Sequence, residues 1–446
     1  MAIISGTPND DIFAGDGADD RIDGLGGNDV LLGNGGDDVL NGGDGNDQLY
    51  GGGGSNTLNG GAGNDEVTVT RTFGDPASAD IVDGGAGNDT LIVDFAGANG
   101  PLSFTLNGTS GDGSIRSANF ETLIYTGGSG NDTVAGAAGN DQLFGYAGND
   151  TLAGAAGTDQ LDGGAGNDVL RGGAGADHLD GGAGVDLASY YTSSVGVSVD
   201  LATGQGAGGE AQGDTLTGIE NLSGSQGNDT LAGNAGANSL SGNGGNDVLR
   251  GGAGADRLDG GAGTDTASYY IGAAGVTVNL ATGAGSGGDA QGDTLTGIEN
   301  VSGSQGSDIL VGNSVANTLQ GWSGNDVLTG AGGKDTLTGG AGADRFVYAS
   351  TTHSVVGANA DRITDFRHAQ GDRIDLSAID ANTGTAGNQA FTFIGTGLYT
   401  HHAGELRFAV SGGVTTIAGD VNGDGTTDFH IQLTGSIALA AADFVL

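Results

Sequence analysis

From Gly6 onward the chain repeats itself every nine residues, with glycine first, an Asp or Asn sixth and, with few departures, a large apolar residue eighth, as in GGDGNDQLY over 42–50. Few folds tolerate such a period. Six residues of Gly, Asp and Asn do not sustain a helix, and three residues around one apolar side chain make only a minimal strand. A loop followed by a short strand, repeated, winds the chain into a flat coil. Two repeats make one turn, repeat n lies on repeat n+2, and the eighth-position residues of both walls point inward.

The period holds over five blocks and 26 repeats. Block 6–68 carries Asp11, Asp20, Asp29, Asp38, Asp47, Asn56 and Asp65 at its sixth positions, and block 75–92 carries Asp80 and Asp89. Block 127–189 carries Asp132, Asp141, Asp150, Asp159, Asp168, Asp177 and Asp186. Block 224–268 has Asp229, Asn238, Asp247, Asp256 and Asp265, and block 303–347 has Asp308, Asn317, Asp326, Asp335 and Asp344. A longer period of 79 residues overlies this one: ASYY at 188–191 returns at 267–270, and GDTLTGIEN at 213–221 returns at 292–300. The inserts at 93–126, 190–223 and 269–302 alternate polar and apolar residues, which predicts strands with non-acidic turns continuing the same stack. The chain thus reads as a repeat block with its lead-in (1–92), an insert (93–126), repeat blocks with two further inserts (127–347) and a C-terminal β-rich cap (348–446).

Packing alone does not account for such a coil. Each buried Leu contributes roughly 1.5–3 kcal/mol, whereas ordering nine residues costs roughly 1–2 kcal/mol each. Something else must hold the loops. The formal charge is −43 with only 12 Lys and Arg, which makes nucleic acid and anionic membranes improbable partners and cations the obvious ones. There is no Cys for a disulfide framework. No apolar run approaches the ~20 residues of a membrane span, and MAIISGTPNDD lacks the basic start and apolar core of a cleavable signal peptide. Glycines allow φ > 0 turns that aim carbonyl oxygens at one point, and the sixth-position Asp adds a carboxylate. An oxygen-only ligand set of this kind suits Ca²⁺. The candidate ligands are the 23 sixth-position aspartates, with the three Asn loops expected to hold an ion weakly or not at all.

The pattern GGxGxDxUx, with U apolar, resembles the RTX (repeats-in-toxin) nonapeptide. That resemblance implies an all-β fold, a parallel β-roll or β-helix-like solenoid with Ca²⁺ between stacked loops. Pairing n with n+2 inside blocks gives at most about sixteen ions, enough to bring −43 to about −11.

Residues 342–380, GADRFVYASTTHSVVGANADRITDFRHAQGDRIDLSAID, and the terminus Asp443-Phe444-Val445-Leu446 are similar to the segment that follows the repeats in the serralysin family of secreted metalloproteases. This implies a capping domain with an uncleaved signal for type I secretion machinery, hence an extracellular protein. Within the cap, DVNGDGTTD sets Asp420, Asn422, Asp424 and Asp428 at offsets 1, 3, 5 and 9. They resemble an EF-hand-type loop that lacks its closing Glu, and are read as a further calcium-binding hairpin tip.

Catalytic signatures are missing. None of the six His begins HExxH, no GxSxG elbow occurs, and repeats that start at residue 6 leave no room ahead of them for a protease domain. His401-His402 with Glu405 reads as surface rather than a metal site. The function expected is a noncatalytic, secreted calcium-binding repeat protein with a structural or surface role. The alternatives are an accessory or glycan-binding module of a secreted exoenzyme system, with a cell-surface or matrix polysaccharide as candidate partner, and an unrecognised enzyme.

Overall fold

The computed structural model describes residues 2–70 and 78–446, so that residues 75–77, the start of the second block, lie outside the described residues. It forms two compact units, Met1–Gly227 and Asn228–Leu446.

In the first unit the chain winds as its period requires. One wall stacks Ile3–Ser5, Arg21–Gly26, Val39–Asp44, Thr57–Ala62 and Asp80–Ala86, and the other stacks Ile12–Ala14, Val30–Leu32, Gln48–Tyr50, Glu66–Thr70 and Thr90–Asp94, all in parallel. The register is 18 residues, two repeats: Leu31 faces Leu49, and Leu49 faces Val67. The eighth-position column is the core. Ile22, Leu31, Leu40, Leu49 and Val67 are each 0% exposed. The second block continues the first directly, with Asp80–Ala86 on Thr57–Ala62.

The loops need glycine where the backbone turns left-handed. Gly45, at a fourth position, has φ of 129°, and a Cβ there would sit 2.0 Å from the Gly27 carbonyl oxygen one turn below. Left-handed backbone alone costs an L-residue roughly 1–2 kcal/mol. Gly45→Ala should therefore lower the melting temperature measurably, at roughly 2–4 °C per kcal/mol for a unit of this size. An unchanged melting curve would show that the stack yields at this point.

The duplicated inserts are built alike. Each contains an antiparallel hairpin, Ser198–Asp200 with Gln205–Ala207 in one copy and Thr277–Asn279 with Ala284–Ser286 in the other. The last strands before the inserts, Leu187–Ser189 and Thr266–Ser268, lie on Val169–Gly175 and Val248–Arg250. The chain then resumes on the opposite wall, with Thr215–Thr217 parallel to His178–Asp180 and Thr294–Thr296 parallel to Arg257–Asp259.

In the second unit the C-terminal segment is less separate than its composition suggests. Asp361–Ile363 pairs with Thr336–Thr338, and Arg373–Asp375 pairs with Arg345–Val347, both in parallel. Asp361-Arg362-Ile363 and Asp372-Arg373-Ile374 repeat the acid-to-apolar step of the nonapeptide, so these strands add one more layer to each wall. A meander of Glu405–Ser411, Val414–Asp420 and Phe429–Thr434 closes one wall. The terminus closes the other: Phe444–Val445 pairs with Arg373–Asp375, and the Asp443 carboxylate lies 2.7 Å from His368 Nδ1.

Candidate metal sites

The sixth-position aspartates form buried ladders in each unit. Asp29, Asp38, Asp47, Asp150, Asp168, Asp247, Asp256, Asp326, Asp335 and Asp344 are all at most 1% exposed. One oxygen of each knits the coil. Asp47 Oδ1 accepts the Asp29 N–H at 2.7 Å, and Asp65 Oδ1 accepts the Asp47 N–H at 2.8 Å. The same bond recurs two repeats apart through the later blocks, as from Asp150 N–H to Asp168 Oδ1 and from Asp247 N–H to Asp265 Oδ1.

The other oxygen divides the ladder into two classes. In Asp11, Asp20, Asp141 and Asp308, Oδ2 accepts the N–H of the second residue of its own repeat, at 2.7–2.9 Å from Thr7, Asp16, Ala137 and Ser304. Asp132 Oδ2 receives the Gly128 N–H at 3.4 Å. These are first or second repeats of their blocks. In later repeats the second residue swings to positive φ, as at Leu25 (82°), Asn34 (69°), Gly43 (121°), Tyr146 (70°) and Trp322 (75°). That N–H no longer reaches the carboxylate, and Oδ2 is left buried with no hydrogen-bond partner. Among the described residues this holds for Asp29, Asp38, Asp47, Asp65 and Asp89, for Asp150, Asp159, Asp168, Asp177 and Asp186, for Asp247, Asp256 and Asp265, and for Asp326, Asp335 and Asp344. A buried carboxylate oxygen without a partner is costly. Sixteen in register mark sixteen places that a cation suits.

Several lie between the first glycine of their own repeat and the carbonyl oxygen of a glycine two repeats on, as at Asp29, Asp38, Asp47, Asp150, Asp247 and Asp326. A Cβ on Gly42 would meet Asp47 Oδ2 at 2.1 Å and the Gly60 carbonyl oxygen at 2.5 Å. Among the described residues no three acidic or histidine side chains converge on one point. The donor set available to an ion is therefore a loop carboxylate with backbone carbonyls, hard oxygen throughout, which fits Ca²⁺.

Burial also shifts the acids. With no ion bound, desolvation raises Asp65, Asp150 and Asp186 to about 6 and Asp159, Asp326 and Asp335 to about 7, with neighbouring ladder carboxylates adding to the rise at Asp65, Asp150, Asp159, Asp186 and Asp326. At Asn56 the buried atom without a partner is the amide Nδ2, a donor that repels a cation. Asn238 and Asn317 turn their carbonyl oxygens to the N–H groups of Asn234 and Asn313.

The insert turns are acidic after all. Glu121, Glu220 and Glu299 accept the N–H groups of Asp89, Asp186 and Asp265 at 2.8–2.9 Å. Asp214 and Asp293 accept those of Asp177 and Asp256 at 3.0 and 2.9 Å. The duplicated GDTLTGIEN held the signal, since each acid directly precedes a returning strand. A second ladder also escaped notice: the fifth-position Asn28 and Asn46 Oδ1 atoms accept the N–H groups of Asn46 and Asn64 at 2.7 Å.

The loop with Asp420, Asn422, Asp424 and Asp428 differs from the roll. Asp420 accepts the Gly423 and Gly425 N–H groups, Asp424 that of Thr426, and Asp428 those of Val421 and the Asn422 amide. An ion would have to displace these bonds. Close by, His401 Nδ1 lies 3.0 Å from the Asp424 carbonyl oxygen, while Glu405 is bound by Thr400.

The family described as "Peptidase M10 serralysin C terminal" matches residues 11–446. The metallopeptidase AprA of Pseudomonas marginalis is 47% identical over 145 residues, and the metalloprotease AprA of Pseudomonas entomophila (strain L48) is 46% identical over 144. Each match covers 32% of this chain and 28% of the relative, so only a small part of either protease is represented. Among solved structures, the AlgE6R3 subunit of the Azotobacter vinelandii mannuronan C5-epimerase is 31% identical, with a TM-score of 0.24 over 33% of this chain and 76% of its own. The extracellular lipase LipA of Serratia marcescens is 12% identical, with a TM-score of 0.18 over 81% and 45%.

Proposed function

The chain belongs to the serralysin C-terminal family of peptidase M10, and on that footing we propose that it is a noncatalytic, secreted protein that folds on binding Ca²⁺ outside the cell and serves a structural or surface role. The observation that carries this reading is the set of sixteen roll aspartates whose buried Oδ2 has no partner. Those aspartates would hold the ions, with carbonyl oxygens of the stacked glycine loops. Calcium supplies the positive charge that lets so many carboxylates be buried together. The C-terminal segment would carry the signal for type I export, and its docking against His368 and the Arg373–Asp375 strand would follow once the chain has emerged.

A second reading is that this is the calcium-folded part of a larger exoenzyme system, favoured by matches confined to about a quarter of each protease relative. A polysaccharide of the cell surface or matrix is the partner either reading would accommodate.

Counting ions by native mass spectrometry tests the calcium assignment. Asp47→Asn should lose one ion and raise the calcium midpoint of folding. Asp20→Asn, at a carboxylate already taken by the Asp16 N–H, should keep the full count. Equal losses from both would show that the division into open and closed loops is wrong.

A further inference from the structure

At the seams where the inserts interrupt the ladder, a carboxylate oxygen that would otherwise lack a partner meets a phenol. Thr215 stands in register with His178, so Asp214 occupies the sixth position of its turn. Its Oδ1 accepts the Asp177 N–H, as the ladder requires. Its Oδ2 accepts the Tyr190 hydroxyl at 3.0 Å. The duplicate repeats this: Tyr269 donates to Asp293 Oδ2 at 3.0 Å, and Asp293 Oδ1 takes the Asp256 N–H. Both tyrosines are 1% exposed, and each directly follows the last residue of a nonapeptide block.

Two further places show the same meeting. The Tyr125 hydroxyl lies 3.4 Å from Asp132 Oδ2. Tyr348, which follows the last block, lies against Asp361 closely enough for each to shift the other's ionisation, though no aligned hydrogen bond forms.

We propose that Tyr190 and Tyr269 take the place of the cation at these seams, so that Asp214 and Asp293 bind no ion and the inserts close onto the coil without calcium. This rests on the reading that the open roll carboxylates bind Ca²⁺. A phenol is a neutral donor that satisfies one oxygen lone pair and brings no charge. Burial and the facing carboxylate push its pKa upward, so it keeps its proton and continues to donate. A calcium ion needs six to eight oxygens at about 2.3–2.6 Å, and at each seam the hydroxyl already takes the carboxylate oxygen that would be one of them. The tyrosines thus decide which rungs of a continuous ladder are ionic. They supply fixed points, at both copies of the duplication, from which calcium-dependent turns can extend.

Tyr190→Phe with Tyr269→Phe keeps the rings and removes the hydroxyls, leaving both Oδ2 atoms in the state of the open roll sites. Native mass spectrometry at saturating calcium should then show two more ions per chain than the parent. Asp214→Asn with Asp293→Asn should leave the count unchanged in a chain that still reaches the parent's β spectrum. Loss of ions from the Asn pair, or no gain in the Phe pair, would overturn the proposal. Asp47→Asn, measured alongside, separates the two levels. If it loses its ion while the Phe pair gains none, only the tyrosine inference fails. If the parent binds no calcium, the calcium reading fails and this inference with it.

Discussion

In chelator at pH 7.5 the full chain is expected to be largely disordered, and millimolar Ca²⁺ should convert it to a β-rich state. Circular dichroism through a calcium titration is the measurement, with sedimentation velocity to follow compaction. The expectation comes from the ladder. Each open aspartate carries a buried oxygen without a partner, and successive carboxylates lie one coil turn apart. Burying an uncompensated charge costs several kcal/mol even after relaxation, and sixteen such sites outweigh the marginal stability of a folded domain, about 5–15 kcal/mol. The core cannot offset that cost, because its column holds one apolar residue per nine. Ion binding and folding should therefore be one event, steep in calcium because neighbouring sites share loops. Mg²⁺ should substitute poorly, since it demands a tight octahedron and gives up water reluctantly. A spectrum already β-rich in chelator and unmoved by calcium would sink the idea.

Most of this architecture is legible in the nine-residue period. Nine residues with one inward apolar side chain leave a single geometry, and the 18-residue register of Leu31, Leu49 and Val67 follows from it. Two things lay beyond the pattern. The first is which aspartates are open. Asp20 and Asp29 both stand sixth in repeats with glycine first and third, GDGADDRID and GLGGNDVLL, but only the repeat of Asp29, the third of its block, has a complete turn of two repeats preceding it. That neighbour, rather than the local sequence, accompanies the left-handed turn at Leu25 and frees Asp29 Oδ2. The second is everything that keeps the ladder and drops the glycines. Glu121, Glu220 and Glu299 reach the same N–H groups with a side chain one carbon longer, and the Asp-Arg-Ile strands of the C-terminal segment continue both walls. A motif written around glycine misses them, because the ladder requires only an acid placed before an inward-facing strand.

Acid should partly replace calcium. Burial in the ion-free fold raises Asp65 and Asp150 to about 6 and Asp159, Asp326 and Asp335 to about 7, against roughly 3.9 in an unfolded chain. A carboxyl whose folded pKa is raised contributes stability that is fully present below the unfolded value and lost as pH rises through the folded one. The ion-free coil is therefore penalised above about pH 7 and relieved progressively below about pH 6. The calcium-bound fold and the unfolded chain both keep these acids ionised between pH 5 and 7.5, so the equilibrium between them should hardly depend on pH in that range. Lowering the pH should thus leave the calcium midpoint level at first. Below about pH 6 the chain should begin to gain β structure in chelator, while the number of ions bound at fixed calcium falls. Each unit of pH below a site's pKa favours the proton over the ion about tenfold at that site. Titrating ellipticity in chelator from pH 7.5 to 4.5, with ion counts by native mass spectrometry in parallel, gives both curves. A chain that stays disordered in chelator down to pH 4.5 would show that protons cannot do for the ladder what calcium does, and that the loops require an ion's coordination geometry as well as its charge.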